Sequence, residues 1–266
     1  MRQKLILKVL LLFLVVLLCG ASEKWEVFSI VNFNKRFVPI DKNLYADKYE
    51  TTTKDYQLFL KEKREAGVDC SLLIYDSTVW RTPLAYNEPY VELYFWHPAF
   101  RDYPIVGVSH YAANEFCKWL TEKYEAMPKK KFKKVVFRLP TEAEFIKAAR
   151  SIYDTTVYYP WGHNSLFDRK SGHVYCNYKR LRGENDSTYR LNDYEDYPMS
   201  VRSYKPNPYG IYNISGNVSE MIQEEGIAMG GDWQSTGDNV KITSKRKYEN
   251  ASVWLGFRVY MEIIAF

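Results

Sequence analysis

Residues 206–221 read PNPYGIYNISGNVSEM. Two prolines, two glycines and three asparagines interrupt its apolar residues, which suits ordered loop and short strand rather than helix. Its centre, YNISGNVSE at 212–220, spaces Asn213, Gly216, Asn217 and Glu220 through a short apolar run. Such a run can be a turn, a metal cradle or part of an active site.

The same punctuation by Tyr, Gly, Asn and Pro extends over everything after Arg150 and predicts short strands and long ordered loops there. Upstream, three helices are legible. In ETTTKDYQLFLKEKREAG, Thr52 is an N-cap with Asp55 three residues on, Tyr56, Phe59 and Leu60 share one face, and Gly67 stops the helix. In SHYAANEFCKWLTEKYEA, Ser109 caps and Ala112, Ala113, Phe116 and Leu120 recur at helical spacing, with Cys117 packed beside them. In RLPTEAEFIKAAR, Thr141 and Glu144 form a capping box ahead of Phe145, Ile146 and Ala149.

The chain has 266 residues, 46% of them hydrophobic, enough for one substantial core and short for two domains, so a single domain over 22–266 is expected. Arg2, Lys4 and Lys8 precede or punctuate an apolar run from Leu5 to Leu18, the pattern of a secretory signal at 1–21 rather than of a membrane span. Either the signal is cut after Ala21, or it ends before Cys19 and that thiol is lipidated; both routes export the protein, to the periplasm or to an outer-membrane anchor. Three of the cations behind the net charge of +5 lie in this leader, so the remaining chain is close to neutral and no nucleic-acid partner is implied. Cys70, Cys117 and Cys176, without CxxC spacing, argue against a disulfide framework and a zinc ribbon and leave room for one disulfide at most. An aromatic content of 17%, with 23 tyrosines, suits a loop-rich fold, because amphipathic rings pack irregular backbone while their hydroxyls satisfy buried polar groups.

Taken in order, PIVGVSHYAANEFCKWL, RLPTEAEFIKAAR, YYPWG, PNPYGIYNISGNVSEM, GGDW and LGFR resemble the sulfatase-modifying-factor or formylglycine-generating-enzyme family. The resemblance runs from DKYETTTKDYQLFL at 47–60 to Arg258 and implies an α+β fold of the C-type-lectin-like kind, loop-rich with few short helices and strands. EPYVELYFWHPAFRDYPIVGVS looks, more narrowly, like the version found in gliding-motility and secretion-associated lipoproteins of Bacteroidetes. Active members of the family hold Cu(I) on two cysteine thiolates after a GGS motif, and soft sulfur is what Cu(I) selects. Here Asp232 stands for that serine, Ser235 for the first cysteine and Val240 for the second, and Ser219 and Met221 replace the tryptophans of the usual GNVWEW groove. The resemblance therefore implies a retained scaffold without copper and without the oxidase chemistry.

It also implies calcium, which prefers hard oxygen ligands. Matched residue by residue, the ion would meet the Asn213 side chain, the Gly216 and Val218 carbonyls and the Glu220 carboxylate. A second ion would meet the Asn177 side chain, the Tyr178 carbonyl, Asp193 and the Glu195 carbonyl, with Asp196 an alternative to Asp193. Against this stands the reading in which Asn213 and Asn217 make local turns and Glu220 caps or pairs at the surface.

Lys129, Lys130, Lys131, Lys133 and Lys134 form a basic run between the second and third helices that suits either a solvated loop or contact with a glycan or anionic surface. His97, His110, His163 and His173 lack the paired spacing of a metal helix, and neither a GxSxG elbow nor a phosphate-cradling glycine loop occurs. The expectation is an exported, catalytically inactive domain that binds or scaffolds envelope proteins, such as outer-membrane or secretion-machinery components. The alternative is an enzyme with a different metal in the altered groove, held by Asp232, Asp238 or Glu249.

Overall fold

Local capping chemistry starts each of the three longer helices. The structure, a computed structural model, describes residues 33, 35–81, 86–180 and 197–266. The leader at 1–21 with Cys19, and Asp193, Glu195 and Asp196, lie outside the described residues. Helix α1 spans Thr53–Glu65: the Thr52 hydroxyl accepts from the Asp55 amide at 3.1 Å, and Tyr56, Phe59 and Leu60 are buried. A six-residue helix, α2 at Glu88–Leu93, was not expected; Pro89 stands in its first turn, and with Tyr90 and Val91 only partly buried against the core the segment is too short to leave a periodic signature. Helix α3 spans His110–Glu125, with Ser109 accepting from the Ala112 amide and Phe116, Cys117, Trp119 and Leu120 turned inward. Helix α4 spans Glu142–Arg150 and opens on the capping box expected of Thr141 and Glu144.

Two four-stranded sheets complete the fold. The first joins β1 (Phe37–Pro39), β2 (Leu44–Asp47), β8 (Tyr260–Ala265) and β3 (Lys134–Arg138), in that order and antiparallel throughout. Its central strand is thus the last of the chain, paired with one of the earliest, so the two ends of the domain close on each other. The second sheet runs β6 (Lys245–Lys247), β5 (Ile227–Met229), β4 (Ser219–Met221) and β7 (Leu255–Gly256), antiparallel except for β4 with β7. Arg138 ties β3 to its surroundings through Glu144 at 2.7 Å and Glu262 at 2.8 Å.

The main core is aromatic. Tyr56 and Phe59 of α1 meet Phe116 and Trp119 of α3, and Phe257 after β7 closes on Phe116 with ring centres 5.5 Å apart. A second cluster packs Phe145, Ala148 and Ala149 of α4 against Ile211, Ile214 and Tyr260. Cys70, Cys117 and Cys176 are buried and free; the single possible disulfide is not formed among the described residues. Burial pushes the Cys117 and Cys176 thiols far above their usual range, so both are neutral packing residues.

Candidate functional site

The loop of 211–218 delivers β4 into the second sheet, and its backbone explains its composition. Asn213, Gly216 and Asn217 all adopt positive φ, at 51°, 79° and 64°. Asparagine tolerates this left-handed region better than other residues with a side chain, and glycine tolerates it freely. At Gly216 there is a second requirement, since a Cβ there would collide with the Asn177 carbonyl oxygen and press on the Cys176 sulfur.

Inside this loop lies a buried polar knot. Glu50, just before α1, accepts from Asn213 Nδ2 at 3.1 Å and from Asn217 Nδ2 at 2.9 Å. Asn217 is locked further: its Oδ1 accepts from the Met199 amide at 2.7 Å and its Nδ2 also donates to the Met199 carbonyl at 3.2 Å. Next to it the fully buried Arg258 forks onto Glu220, at 2.6 Å from Nη2 and 3.1 Å from Nε, and donates to the carbonyls of Asp47 and Tyr212. Two buried carboxylates thus share one guanidinium. Burial, only partly offset by Arg258 and aggravated by Glu220, pushes the Glu50 carboxyl up to about 8.

Calcium can be tested against this geometry. Among the described residues Asn213 Oδ1 is a buried acceptor without a hydrogen-bond partner, which fits an oxygen-ligated ion. Glu220 is not the surface carboxylate of the competing turn reading; it is 1% exposed and already neutralised by Arg258, so an ion would share it with the guanidinium. For the second set, Asn177 donates to the Tyr197 carbonyl at 3.0 Å and Tyr178 is buried beside it in the chain; its two acidic members lie outside the described residues.

On the opposite side of β4 the positions of the altered groove are filled. Ser219 Oγ donates to Asp232 Oδ2 at 2.7 Å, and Arg246 Nη1 donates to the same oxygen at 2.7 Å while its guanidinium lies 3.5 Å above the Trp254 ring. Ser235 Oγ accepts from the Asp232 amide at 3.2 Å, and Val240 is buried against Tyr159, Val174, Cys176 and Tyr178. Neither position carries a sulfur. The three carboxylates offered as ligands for another metal are not gathered: Asp232 is buried on Arg246, Asp238 is solvated beside Lys241 and Glu249 is exposed. No group of three or more His, Cys, Asp or Glu able to hold a metal occurs among the described residues.

In the basic run, Lys130 pairs with Glu125 at 2.6 Å and Lys131 sits 5.1 Å from the Tyr45 ring, while Phe132 is buried and anchors the segment. His110 bonds the Ile222 carbonyl at 2.9 Å, a packing role. Sequence reasoning missed Glu50, Arg258 as the partner of Glu220, and Arg246. Only Arg258 leaves a signal, a lone charge within the apolar LGFRVYM.

Comparison with known proteins matches residues 29–263 to the model of the sulfatase-modifying factor enzyme 1-like domain. A serine/threonine-protein kinase pkn1 of Chlamydia pneumoniae is 30% identical over 127 residues, 48% of this chain. The formylglycine-generating enzymes of Thermomonospora curvata and Bos taurus are each 32% identical, over 139 and 123 residues, 51% and 46% of this chain. The aligned stretches take in 14%, 37% and 27% of those three relatives. Among solved structures, PvdO from Pseudomonas aeruginosa superposes with a TM-score of 0.55 at 18% identity, covering 82% of this chain and 80% of that one. The Treponema denticola variable protein 1 gives 0.54 at 18% identity, covering 85% and 91%. At that identity the likeness is one of fold.

Proposed function

The chain belongs to the sulfatase-modifying factor enzyme 1-like domain family, and from that premise we propose that it is a catalytically inactive member acting as a binding or scaffold component of a cell-envelope protein assembly. The observation that carries this reading is the content of the groove. Cu(I) needs soft thiolate donors, and the two positions that would supply them hold the hydroxyl of Ser235, engaged with the Asp232 backbone, and the buried side chain of Val240. Ser219, Asp232, Arg246 and Trp254 occupy the same region as a closed, mutually bonded set.

In this reading the protein is exported through its leader, with Cys19 as the lipid acceptor if it is anchored, and works in the periplasm or at the outer membrane with envelope or secretion-machinery proteins. The gliding-motility flavour of residues 88–109 and the lysines at 129–134, as contacts for a glycan or anionic surface, belong to the same proposal. Calcium is its structural cofactor, held by Asn213, Gly216, Val218 and Glu220 and, at the second set, by Asn177, Tyr178, Asp193 and Glu195. When bound it supplies charge and oxygen-cage rigidity to the loops, not redox chemistry.

The test has two arms. Purified protein is given Cu(I), dioxygen and a cysteine-bearing peptide, and no aldehyde is expected; formation of aldehyde at catalytic turnover overturns the proposal. Tagged protein is recovered from solubilised envelopes under calcium, and a stoichiometric envelope protein is expected; recovery of the chain alone overturns the scaffold role. For calcium, the melting temperature should rise on adding the ion and fall with chelator; no response to either removes it as a cofactor.

A further inference from the structure

The lysine run between α3 and β3 is an ordered surface of unbalanced positive charge. Lys129, Lys130, Lys131, Lys133 and Lys134 are all exposed. One acid answers them: Glu125, the last residue of α3, pairs with Lys130 at 2.6 Å, and its charge also senses Lys134. Glu122, a turn back, is taken by Lys63 at 3.6 Å. Lys131 lies over the rings of Tyr45 and Phe132, at 5.1 and 5.0 Å, which bring no negative charge. Lys129 and Lys133 make no ion pair among the described residues. An ordinary surface intersperses both signs, and here five cations face one carboxylate.

The run is held in place. Phe132 is buried at its centre, and its amide donates to the Tyr124 hydroxyl at 2.8 Å, which leaves Lys131 and Lys133 outside on either side of it. Beside it Phe266 is 61% exposed, its ring centre 5.9 Å from that of Phe132. Edge strands use lysines to ward off pairing, but only Lys134 lies in β3, so that role does not account for the run. Tyr124 also marks where the chain enters the domain. Its ring centre lies 5.3 Å from that of Phe33, the first described residue, which is buried against Phe37 and Phe137 as well. One tyrosine therefore bridges the side of the domain nearest the leader and the middle of the lysine run. In a domain about 45 Å across, that closeness is a placement and not a necessity.

We propose that the lysine run and Phe266 form a membrane-facing surface that lies on a bilayer of anionic phospholipid. This deepens the reading of the run given above and rests on export, in which the leader brings the chain to a membrane. Within a Debye length of such a bilayer each lysine strengthens binding about fivefold, and an exposed phenyl ring beside them can enter the headgroup layer. Residues 20–32, between Cys19 and Phe33, reach at most about 50 Å. An anchored domain thus meets the bilayer at high effective concentration, where a few lysines suffice to orient it. A glycan offers similar charge but no apolar layer for Phe266, which favours the bilayer.

The test uses the protein as cells produce it, mixed with vesicles of a zwitterionic phospholipid alone or blended with an anionic one. Flotation reads binding. Labelling by a membrane-impermeant amine reagent, followed by peptide mass spectrometry, reads which lysines the bilayer covers. On anionic vesicles Lys129, Lys131, Lys133 and Lys134 should be protected several-fold relative to neutral ones, while Lys247 of the other sheet is labelled equally on both; high salt should remove the protection. In the triple variant Lys129→Gln, Lys133→Gln, Lys134→Gln, the remaining Lys131 should lose most of its protection, with unchanged circular dichroism because all three residues are exposed. Flotation with both kinds of vesicle, the run being covered only on the anionic kind, upholds the surface together with a lipid at Cys19. Flotation with the anionic kind alone upholds the surface and removes the lipid. Export itself is read from the compartment in which the protein is recovered. The proposal is overturned by equal labelling of the run on both vesicles, by no flotation with anionic vesicles, by protection indifferent to the triple variant, or by protection from a soluble acidic polysaccharide and not from vesicles.

Discussion

Glu50→Gln isolates a buried carboxylate held by two asparagine amides. Burial raises the Glu50 carboxyl from 4.5 to about 8, so the folded state binds a proton more tightly than the unfolded chain does. The stabilisation is therefore complete below pH 4.5 and lost as pH rises through 8. At about 1.4 kcal/mol for each pKa step, the span between the two values amounts to roughly 5 kcal/mol lost across that window. Glutamine removes the titration while keeping the shape. Asn217 is locked by Met199, and Asn213 can turn its partnerless Oδ1 toward the new amide only by giving up the bond from its Nδ2 to the Ser200 carbonyl at 3.2 Å, so the variant should be pH-insensitive and somewhat less stable than wild type at pH 5. The assay is urea unfolding from pH 5 to 9 in chelator. Wild type should lose several kcal/mol toward the alkaline end, and Glu50→Gln should lose far less. Equal slopes for the two proteins would refute the assignment of the proton to Glu50.

Arg258→Ala should cost about 3–5 kcal/mol or prevent folding, because it leaves Glu220 charged and buried without its partner; equilibrium unfolding measures it. Gly216→Ala meets both the positive φ and the Asn177 carbonyl and should destabilise by more than about 1 kcal/mol, against the fractional gain such a change brings at an ordinary site. Cys117 and Cys176 should resist a thiol reagent in the native protein and react only on unfolding, which mass spectrometry of alkylated peptides reads directly.

The helix starts were legible because capping is local: Thr52, Ser109 and Thr141 each find their partner three residues on. The loop-rich second half was legible for a similar reason, since Asn213, Gly216 and Asn217 announce left-handed backbone by residue type. The polar knot was not, because its bonds join distant residues. Glu50 lies 163 positions from Asn213, and Arg258 lies 38 from Glu220. No window of sequence contains both partners, and Glu50 sits in a polar run, ETTTK, where a charge is unremarked. Helix α2 escaped because six residues, with Tyr90 and Val91 partly buried side by side, are too few to show a helical period.

Strand β4 explains how this fold can change its groove and remain folded. Successive residues of a strand face opposite sides, and here Ser219 bonds Asp232 while its neighbour Glu220 bonds Arg258. The knot on one side ties the chain before α1, the loop of 211–218 and the end of β7 into one buried unit through Glu50, Asn213, Asn217 and Arg258. The groove on the other side makes a separate set of bonds through Asp232 and Arg246. Among the described residues no side-chain bond joins the two sets; the backbone does, through β4 and through the Trp233 amide, which donates to the Asn217 carbonyl at 3.0 Å. The side chains of Glu220 and Arg258 thus hold the architecture from one face of β4, while those of Ser219 and Asp232 fill the other.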